Sequence, residues 1–96
     1  MAIAAIVELA GMTEAQYTTV MGMLGTSMPP GNLVHIAGPT EDGWRIVDVW
    51  ESAEAMDAFF RSAPAAAAFQ AADVAPTQPD VFSVSGLAVA AATARH

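Results

Sequence analysis

The sequence contains no cysteine and no lysine, and it has only three arginines and two histidines among its 96 residues. Without cysteine there is no disulfide, no thiolate metal ligand and no thiol nucleophile. One of the two histidines is the last residue, His96, so the sequence does not indicate a structural zinc site. The glycines and prolines do not follow the spacing of a GxGxxG or P-loop motif. We therefore expect no metal and no cofactor.

Positive charge is scarce, because ten acidic residues against three arginines give a formal net charge of −7. Nucleic acids and anionic membranes are bound through basic patches, so we expect neither as a partner. The apolar stretch 86–94 is too short to cross a bilayer. The first ten residues lack the basic region of a signal peptide and contain Glu8. These features predict a cytoplasmic protein.

Apolar residues are abundant for so short a chain, at 54% of the sequence. The length predicts one domain, which we place over residues 1–90, with a flexible C-terminal tail over 91–96. A small domain has much surface to cover, so the apolar excess indicates contact with another subunit.

Hydrophobic periodicity and turn residues predict the element order β-α-β-β-α-β. Thr13, with Gln16 three residues later, predicts a capping box, and Ser52 predicts the second helix start. Asp42-Gly43 predicts a tight hairpin with positive φ. The predicted strands cover 2–9, 32–37, 44–51 and 81–89, and the predicted helices cover 14–24 and 53–60, with a further helical turn over 65–72 that begins at Pro64.

This order predicts an α+β fold, a ferredoxin-like βαββαβ sandwich with a four-stranded antiparallel sheet. Right-handed crossovers place both helices on one face of that sheet and leave the other face bare. We expect Trp44, Ile46 and Trp50 on the bare face, with Leu33 and Ala37 beside them. A second copy of the chain would then cover that face.

The strand 44–50 is the most informative segment, because side chains alternate between the two faces of a strand. Trp44, Asp48 and Trp50 share one face, whereas Val47 and Val49 share the other. Two large aromatic residues beside a carboxylate are typical of a ligand-cavity wall. The same face is equally compatible with an oligomer interface.

The segments 33–39, 42–52 and 55–60 resemble small bacterial members of the dimeric α+β barrel superfamily, which are often labelled antibiotic-biosynthesis-monooxygenase-like. The resemblance covers about residues 2–89. It implies two ferredoxin-like subunits that pack sheet against sheet into a barrel, each with a pocket between its sheet and its helices. The expected partners are therefore a second copy of the chain, bound through the sheet face, and a small apolar or aromatic ligand.

The resemblance also implies candidate activities. Haem-degrading members use a Trp and a His where this chain has Phe59 and Phe69, so we do not expect haem cleavage. Quinone-forming members oxidise anthrone-type polyketides without metal or flavin, which implies a cofactor-independent monooxygenase acting on a small aromatic or polyketide-type substrate. Many relatives carry a histidine on the last strand, and residues 83–86 contain none. That difference favours a non-catalytic ligand-binding or assembly module; an oxygen-independent cyclase or isomerase is the third alternative.

His35 and Asp48 are the candidate catalytic residues. A neutral imidazole at His35 can take a proton from a phenol or an activated C–H, and a carboxylate holds its tautomer. The alternative is a structural histidine hydrogen-bonded across the dimer. A carboxylate such as Asp48 is unfavourable within a strand unless it has a partner. We expect Asp48 to act beside His35 as an orienting group or base, or to form an interfacial ion pair with Arg45 of either subunit.

The candidate substrate-binding residues are Trp44, Tyr17, Trp50, Met21 and Arg45. Each of them also has a structural interpretation. Trp50 precedes a helix cap and fits core packing, and Tyr17 and Met21 fit the apolar stripe of the first helix. Arg45 can bind an anionic group or pair with Asp42 or Glu51 at the surface.

Overall fold

The structure is a computed structural model that describes residues 1–25, 28–74, 77–88 and 90. Its elements are β1 (Ile3–Ala10), α1 (Glu14–Leu24), β2 (Asn32–Thr40), β3 (Gly43–Trp50), α2 (Ala53–Phe60), α3 (Ala63–Ala71) and β4 (Asp80–Ser83). The four strands form one sheet in the order β2-β3-β1-β4, and all neighbours are antiparallel. The predicted ferredoxin-like α+β fold is confirmed. Within the described part of the chain, no helix has the length and apolar character needed to cross a membrane.

The helix starts lie where the sequence predicts them. The backbone N–H of Gln16 donates to Thr13 Oγ1 at 3.2 Å, and the Gln16 side chain accepts from the Thr13 backbone N–H at 2.9 Å, which completes the capping box. Ser52 caps α2 through the N–H of Ala55. The further helical turn is α3, which Ser62 caps and which carries a proline in its first turn. These local hydrogen bonds satisfy donors that have no partner inside a helix.

The β2–β3 hairpin is tighter than expected, because β2 continues to Thr40 and only residues 41–42 form the loop. The expected positive φ at Asp42-Gly43 is wrong, since neither residue has one. Position 43 requires glycine because there is no room for a side chain. A Cβ there would collide with the carbonyl oxygen of Leu9 and lie 2.7 Å from the backbone nitrogen of Gly11.

The last strand is shorter than the predicted 81–89. β4 pairs only with residues 3–6 of β1, and β1 begins at Ile3, so the chain has no further strand partner after Ser83. One more hydrogen bond joins the N–H of Val84 to the carbonyl of Ala2 at 2.9 Å. Residue 89 and the predicted tail over 91–96 lie outside the described residues.

The face of the sheet that carries the tryptophans packs against the helices. Trp44 lies in a buried cluster with Val20 of α1 and Ala68 of α3, and Trp50 lies in another with Met56 of α2. The expectation that these tryptophans occupy the bare face is therefore wrong. Both faces of β3 are apolar, so alternation groups the side chains by face but does not say which face the helices cover.

The opposite surface, which we call the open face, has no helix over it within the described residues. Its central apolar side chains come from all four strands, and Ile36 and Phe82 are 59% and 56% exposed. Arg45 and Glu8 form an ion pair on the same surface. The residues of the open face used below are Ile6, Glu8, Val34, Ile36, Arg45, Val47 and Phe82.

We expect Gly43→Ala to lower the free energy of unfolding by about 1–3 kcal/mol, because the added methyl meets rigid backbone. Urea unfolding at a fixed protein concentration measures it. Gly22→Ala is the control, because nothing lies within 4 Å of a Cβ built at Gly22 on α1. Alanine at that helical position should stabilise by about 0.5–1 kcal/mol. An unfolding midpoint for Gly43→Ala at or above that of the wild type would contradict this interpretation of Gly43.

Candidate functional site

A cavity of about 500 Å³ lies between the sheet and the helices. Its walls are mostly apolar, with aliphatic side chains from β1 and α1 and aromatic rings from β3, α2 and α3. The polar side chains among the lining residues are Tyr17, Asn32, His35, Asp48 and Thr77. A largely apolar cavity with a few convergent polar groups is the usual form of a small-molecule site.

Three of these polar side chains form a hydrogen-bonded chain. His35 on β2 lies directly opposite Asp48 on β3 in the strand register, so both side chains point to the same face. The distance from His35 Nδ1 to Asp48 Oδ1 is 2.6 Å. On its other side, His35 Nε2 lies 2.7 Å from the hydroxyl oxygen of Tyr17 on α1. The two predicted catalytic residues therefore meet within one polypeptide, and Tyr17 extends the hydrogen-bonded chain.

The chemistry of the three groups determines where the protons lie. A carboxylate only accepts, so Nδ1 of His35 carries a hydrogen and donates it to Asp48. In the neutral imidazole, Nε2 is then a lone pair that accepts from the hydroxyl of Tyr17. When His35 is protonated, Nε2 donates to the Tyr17 oxygen instead, and the phenolic hydrogen is free to turn toward a ligand. The chain can thus take up a proton at one end and hold it at His35.

Burial and the carboxylate both act on the pKa values in this chain. The hydrogen bond to Asp48 raises the pKa of His35 above its ordinary value of 6.5, although burial acts in the opposite direction, and the charge of Asp48 raises the pKa further. Burial, followed by the charge of Asp48, raises the pKa of Tyr17 above 10.0. The phenol therefore stays protonated at neutral pH, while the imidazole is a better proton acceptor than a free histidine.

Three of the predicted substrate-binding residues line the cavity, namely Tyr17, Met21 and Trp50. Trp44 is not among the lining residues. It is buried, and its ring stacks on Tyr17 with the ring centroids 5.2 Å apart and the planes inclined by 28°. Trp44 therefore supports the ring of Tyr17 instead of forming the wall.

Arg45 does not reach the cavity. It lies on the open face, because its neighbours in β3 point to the helices and side chains alternate along a strand. Its Nε–H donates to Glu8 Oε2 at 2.5 Å, and Glu8 is the residue opposite it on β1. The surface partner is thus Glu8, where the sequence suggested Asp42 or Glu51. About half of each side chain is exposed, so the pair contributes little to stability.

Asn32 lines the cavity and was not predicted as a site residue. A β-bulge causes this: Asn32 pairs with Trp50 and Val34 pairs with Val49, so Leu33 has no partner in β3. The extra residue returns Asn32 to the face of Trp50 and leaves Leu33 47% exposed. Strict alternation would place Leu33 on the same side of the sheet as His35 and Trp44, as the sequence suggested. Only the Pro-Pro-Gly that precedes Asn32 signals an irregular strand start.

No metal centre is evident in this part of the molecule. Within residues 1–25, 28–74, 77–88 and 90, no group of three or more His, Cys, Asp or Glu side chains is arranged to hold a metal ion.

We expect Asp48→Asn to lower the pKa of His35, because the charge is lost while burial still disfavours the imidazolium. A histidine ring NMR titration measures the shift. In the wild type, the pKa of His35 in the folded state is raised above 6.5. The stabilisation that its contact with Asp48 gives the folded protein is therefore fully present below pH 6.5 and is lost as the pH rises through the folded-state pKa. The wild type should therefore exceed the variant in unfolding free energy most clearly below pH 6.5.

Glu8→Gln is the matched control, since it removes one acid from the open face and should leave the pKa of His35 unchanged. A pKa of His35 that does not move in Asp48→Asn would contradict the hydrogen bond between the two residues.

The comparisons with known proteins give matches by structure only. The sequence matches no family model and no curated protein. A crystal structure of a candidate antibiotic biosynthesis monooxygenase from Chloroflexus aurantiacus J-10-fl matches with a TM-score of 0.69 and 20% identity, over 93% of this chain and 98% of that one.

Another, of a candidate antibiotic biosynthesis monooxygenase from Deinococcus radiodurans, matches with a TM-score of 0.57 and 13% identity, over 97% of this chain and 100% of that one. At these identities the likeness is one of fold and does not extend to the activity. The resemblance seen in the sequence is confirmed at that level, and the chain has the ferredoxin-like fold of the antibiotic-biosynthesis-monooxygenase-like proteins.

Proposed function

We propose that this protein is a cofactor-independent monooxygenase that acts on a small aromatic or polyketide-type substrate. The observation that carries the proposal is the Tyr17–His35–Asp48 chain at the wall of an apolar cavity, with distances of 2.7 and 2.6 Å. The descriptions of both structural neighbours as candidate antibiotic biosynthesis monooxygenases support it.

Tyr17 is the group that touches the substrate in this proposal. Both nitrogens of His35 are already engaged, one by Tyr17 and one by Asp48. His35 therefore acts through the phenol: the Tyr17 oxygen takes a proton from an activated C–H of the substrate while its own proton passes to Nε2. The resulting imidazolium is stabilised by the carboxylate of Asp48. The products of this step are the substrate carbanion and a protonated His35.

Molecular oxygen is the oxidant, and the substrate anion supplies the electrons. For an anthrone, the ring methylene loses both hydrogens and gains one oxygen atom as a ketone. The second oxygen atom leaves as water with those two hydrogens. The carbon is oxidised by four electrons and O₂ is reduced by four, so the reaction balances without another reductant. The proton held on His35 returns to the oxygen that departs.

The cavity suits an aromatic substrate of this kind. Its volume of about 500 Å³ falls within the usual range for small-molecule sites. The rings of Trp50, Phe59 and Phe69 lie in its wall and offer flat apolar surfaces. Water also screens the interaction between His35 and Asp48 less than it screens a surface pair, because the two side chains are only 23% and 11% exposed.

Two alternatives use the same cavity. An oxygen-independent cyclase or isomerase needs the same proton transfer and no O₂, so the Tyr17–His35–Asp48 chain favours it equally. A non-catalytic ligand-binding module is favoured by the small number of polar groups in the wall. Oxygen uptake and turnover distinguish the three.

We expect aerobic turnover of anthrone by the purified protein without added cofactor, measured by quinone absorbance and an oxygen electrode. Tyr17→Phe and Asp48→Asn should each lower kcat by roughly 10²–10³-fold, because general acid–base catalysis contributes on that scale. Asp57→Asn makes the same acid-to-amide change at an exposed position of α2 and should leave kcat unchanged.

Product formation without oxygen uptake would replace the oxygenase with a cyclase or isomerase. Binding of anthrone without any turnover would contradict an enzymatic role and support the binding module.

The second part of the proposal is a homodimer formed through the open face. Ile36 and Phe82 are more than half exposed there, Val47 and Ile6 lie on the two strands between them, and Val34 lies beside Ile36 on β2. A contiguous apolar sheet surface is unfavourable in water, and a second copy can cover it with the same residues. The dimer thus uses a sheet face, as the sequence suggested, although the face is the other one. A cytoplasmic location stays a prediction.

We expect the wild type to be a dimer at micromolar concentration by analytical ultracentrifugation. Ile36→Glu should shift it to single chains, because the carboxylate would be buried in an apolar interface. Met23→Glu is the control, since Met23 is 50% exposed on α1 and lies away from the open face. A folded wild type that sediments as one chain would contradict the dimer.

A further inference from the structure

Asn32 is held with its amide group in one orientation. Its Nδ2 donates to the backbone carbonyls of Val34 and Val49, each at 3.2 Å. Both partners are acceptors, so only the NH₂ end of the side chain can face them. The Oδ1 atom must therefore point the other way. Among the described residues, no group donates a hydrogen bond to it.

The backbone at Asn32 is anchored as firmly as its side chain. Gly31 has a φ of +83°, and its carbonyl accepts the N–H of Glu51 at 2.8 Å. A Cβ at Gly31 would lie 2.6 Å from the Cβ of Ala55 at the start of α2. Only glycine therefore allows this approach of the chain to α2, and with the bulge at Leu33 it directs Asn32 into the cavity. The acceptor is preorganised before any ligand binds.

The register gives the spacing between this acceptor and the reactive group. Asn32 lies opposite Trp50 and His35 lies opposite Asp48, and these two partners are two residues apart on β3. Positions two residues apart on a strand are separated by about 7 Å. The cavity thus presents Asn32 and the Tyr17–His35–Asp48 chain as neighbours on one face, with apolar walls around both.

From this geometry we infer that Asn32 is a specificity-determining residue that selects ligands with a hydrogen-bond donor, so the substrate is a hydroxylated or amino-substituted aromatic molecule. The Oδ1 atom accepts a ligand O–H or N–H and repels an ether or carbonyl oxygen. The ring then extends toward Tyr17 with its reactive carbon. This inference rests on the proposed function for the aromatic class of the ligand.

The test compares three stable anthraquinones that carry a hydroxyl, an amino or a methoxy group at one outer ring position. Each is titrated against the full-length protein by quenching of tryptophan fluorescence, because Trp50 lines the cavity. We expect the hydroxyl and amino compounds to bind roughly three- to tenfold more tightly than the methyl ether, as one neutral hydrogen bond contributes on that scale. Equal affinities for all three would overturn the inference.

Two variants isolate the acceptor from the structural role of Asn32. Asn32→Asp and Asn32→Leu are close in size, and both lose the NH₂ bonds to Val34 and Val49. Only the aspartate keeps an acceptor, so it should retain the preference for the donor ligands, while the leucine variant should bind all three alike. A purely structural Asn32 would weaken every ligand by the same factor in both variants. A preference that persists in Asn32→Leu would overturn the inference.

The outcome is separable from that of the proposed function. Quinones that bind with the expected preference, in a protein that does not turn over anthrone, would overturn the oxygenase and support the role of Asn32. Absence of binding by all three quinones would overturn the inference. If circular dichroism shows that both variants fail to fold, the affinity ratios of the wild type for the three quinones alone decide whether the inference about Asn32 holds.

Discussion

The register of β2 on β3 is the constraint on which the site depends. It places His35 directly opposite Asp48, and the 2.6 Å contact between them follows from that pairing. A slip of one residue would turn His35 to the open face and leave the carboxylate of Asp48 buried without a partner. The short hairpin loop over residues 41–42 holds the register at one end, and the bulge at Leu33 ends it at the other.

Packing around this ladder supports the polar chain and leaves room for a ligand. Trp44 stacks on Tyr17, so the phenol that contacts His35 is held from behind by a buried ring. Helix α3 is rich in alanine, and Ala65 and Ala68 are fully buried, which lets this helix lie close to its neighbours. The remaining space between sheet and helices is the cavity. Most of its polar groups lie along β2 and its neighbours, and the other walls are largely apolar.

Much of the fold is local in origin and could be predicted from the sequence. The caps at Thr13 and Ser52, the element order and the alternation along β3 depend on neighbours within a few residues. The same alternation placed His35 and Asp48 on one face. The hydrogen bond between His35 and Asp48, which are 13 positions apart in the sequence, depends on the strand register. The contact of the Tyr17 hydroxyl with the other imidazole nitrogen of His35, 18 positions away, depends on where α1 lies.

The sequence by itself determined the ferredoxin-like order, the helix starts and the grouping of the tryptophans with Asp48, because each depends on short-range backbone geometry. Tertiary structure alone decided that the helices cover the tryptophan face, since both faces of β3 are apolar and packing of the large rings selects between them. It also decided that Asn32 faces the cavity, because a bulge reverses the alternation there. The length of β4 was set by its partner, as a strand ends where no neighbouring backbone remains to accept its hydrogen bonds.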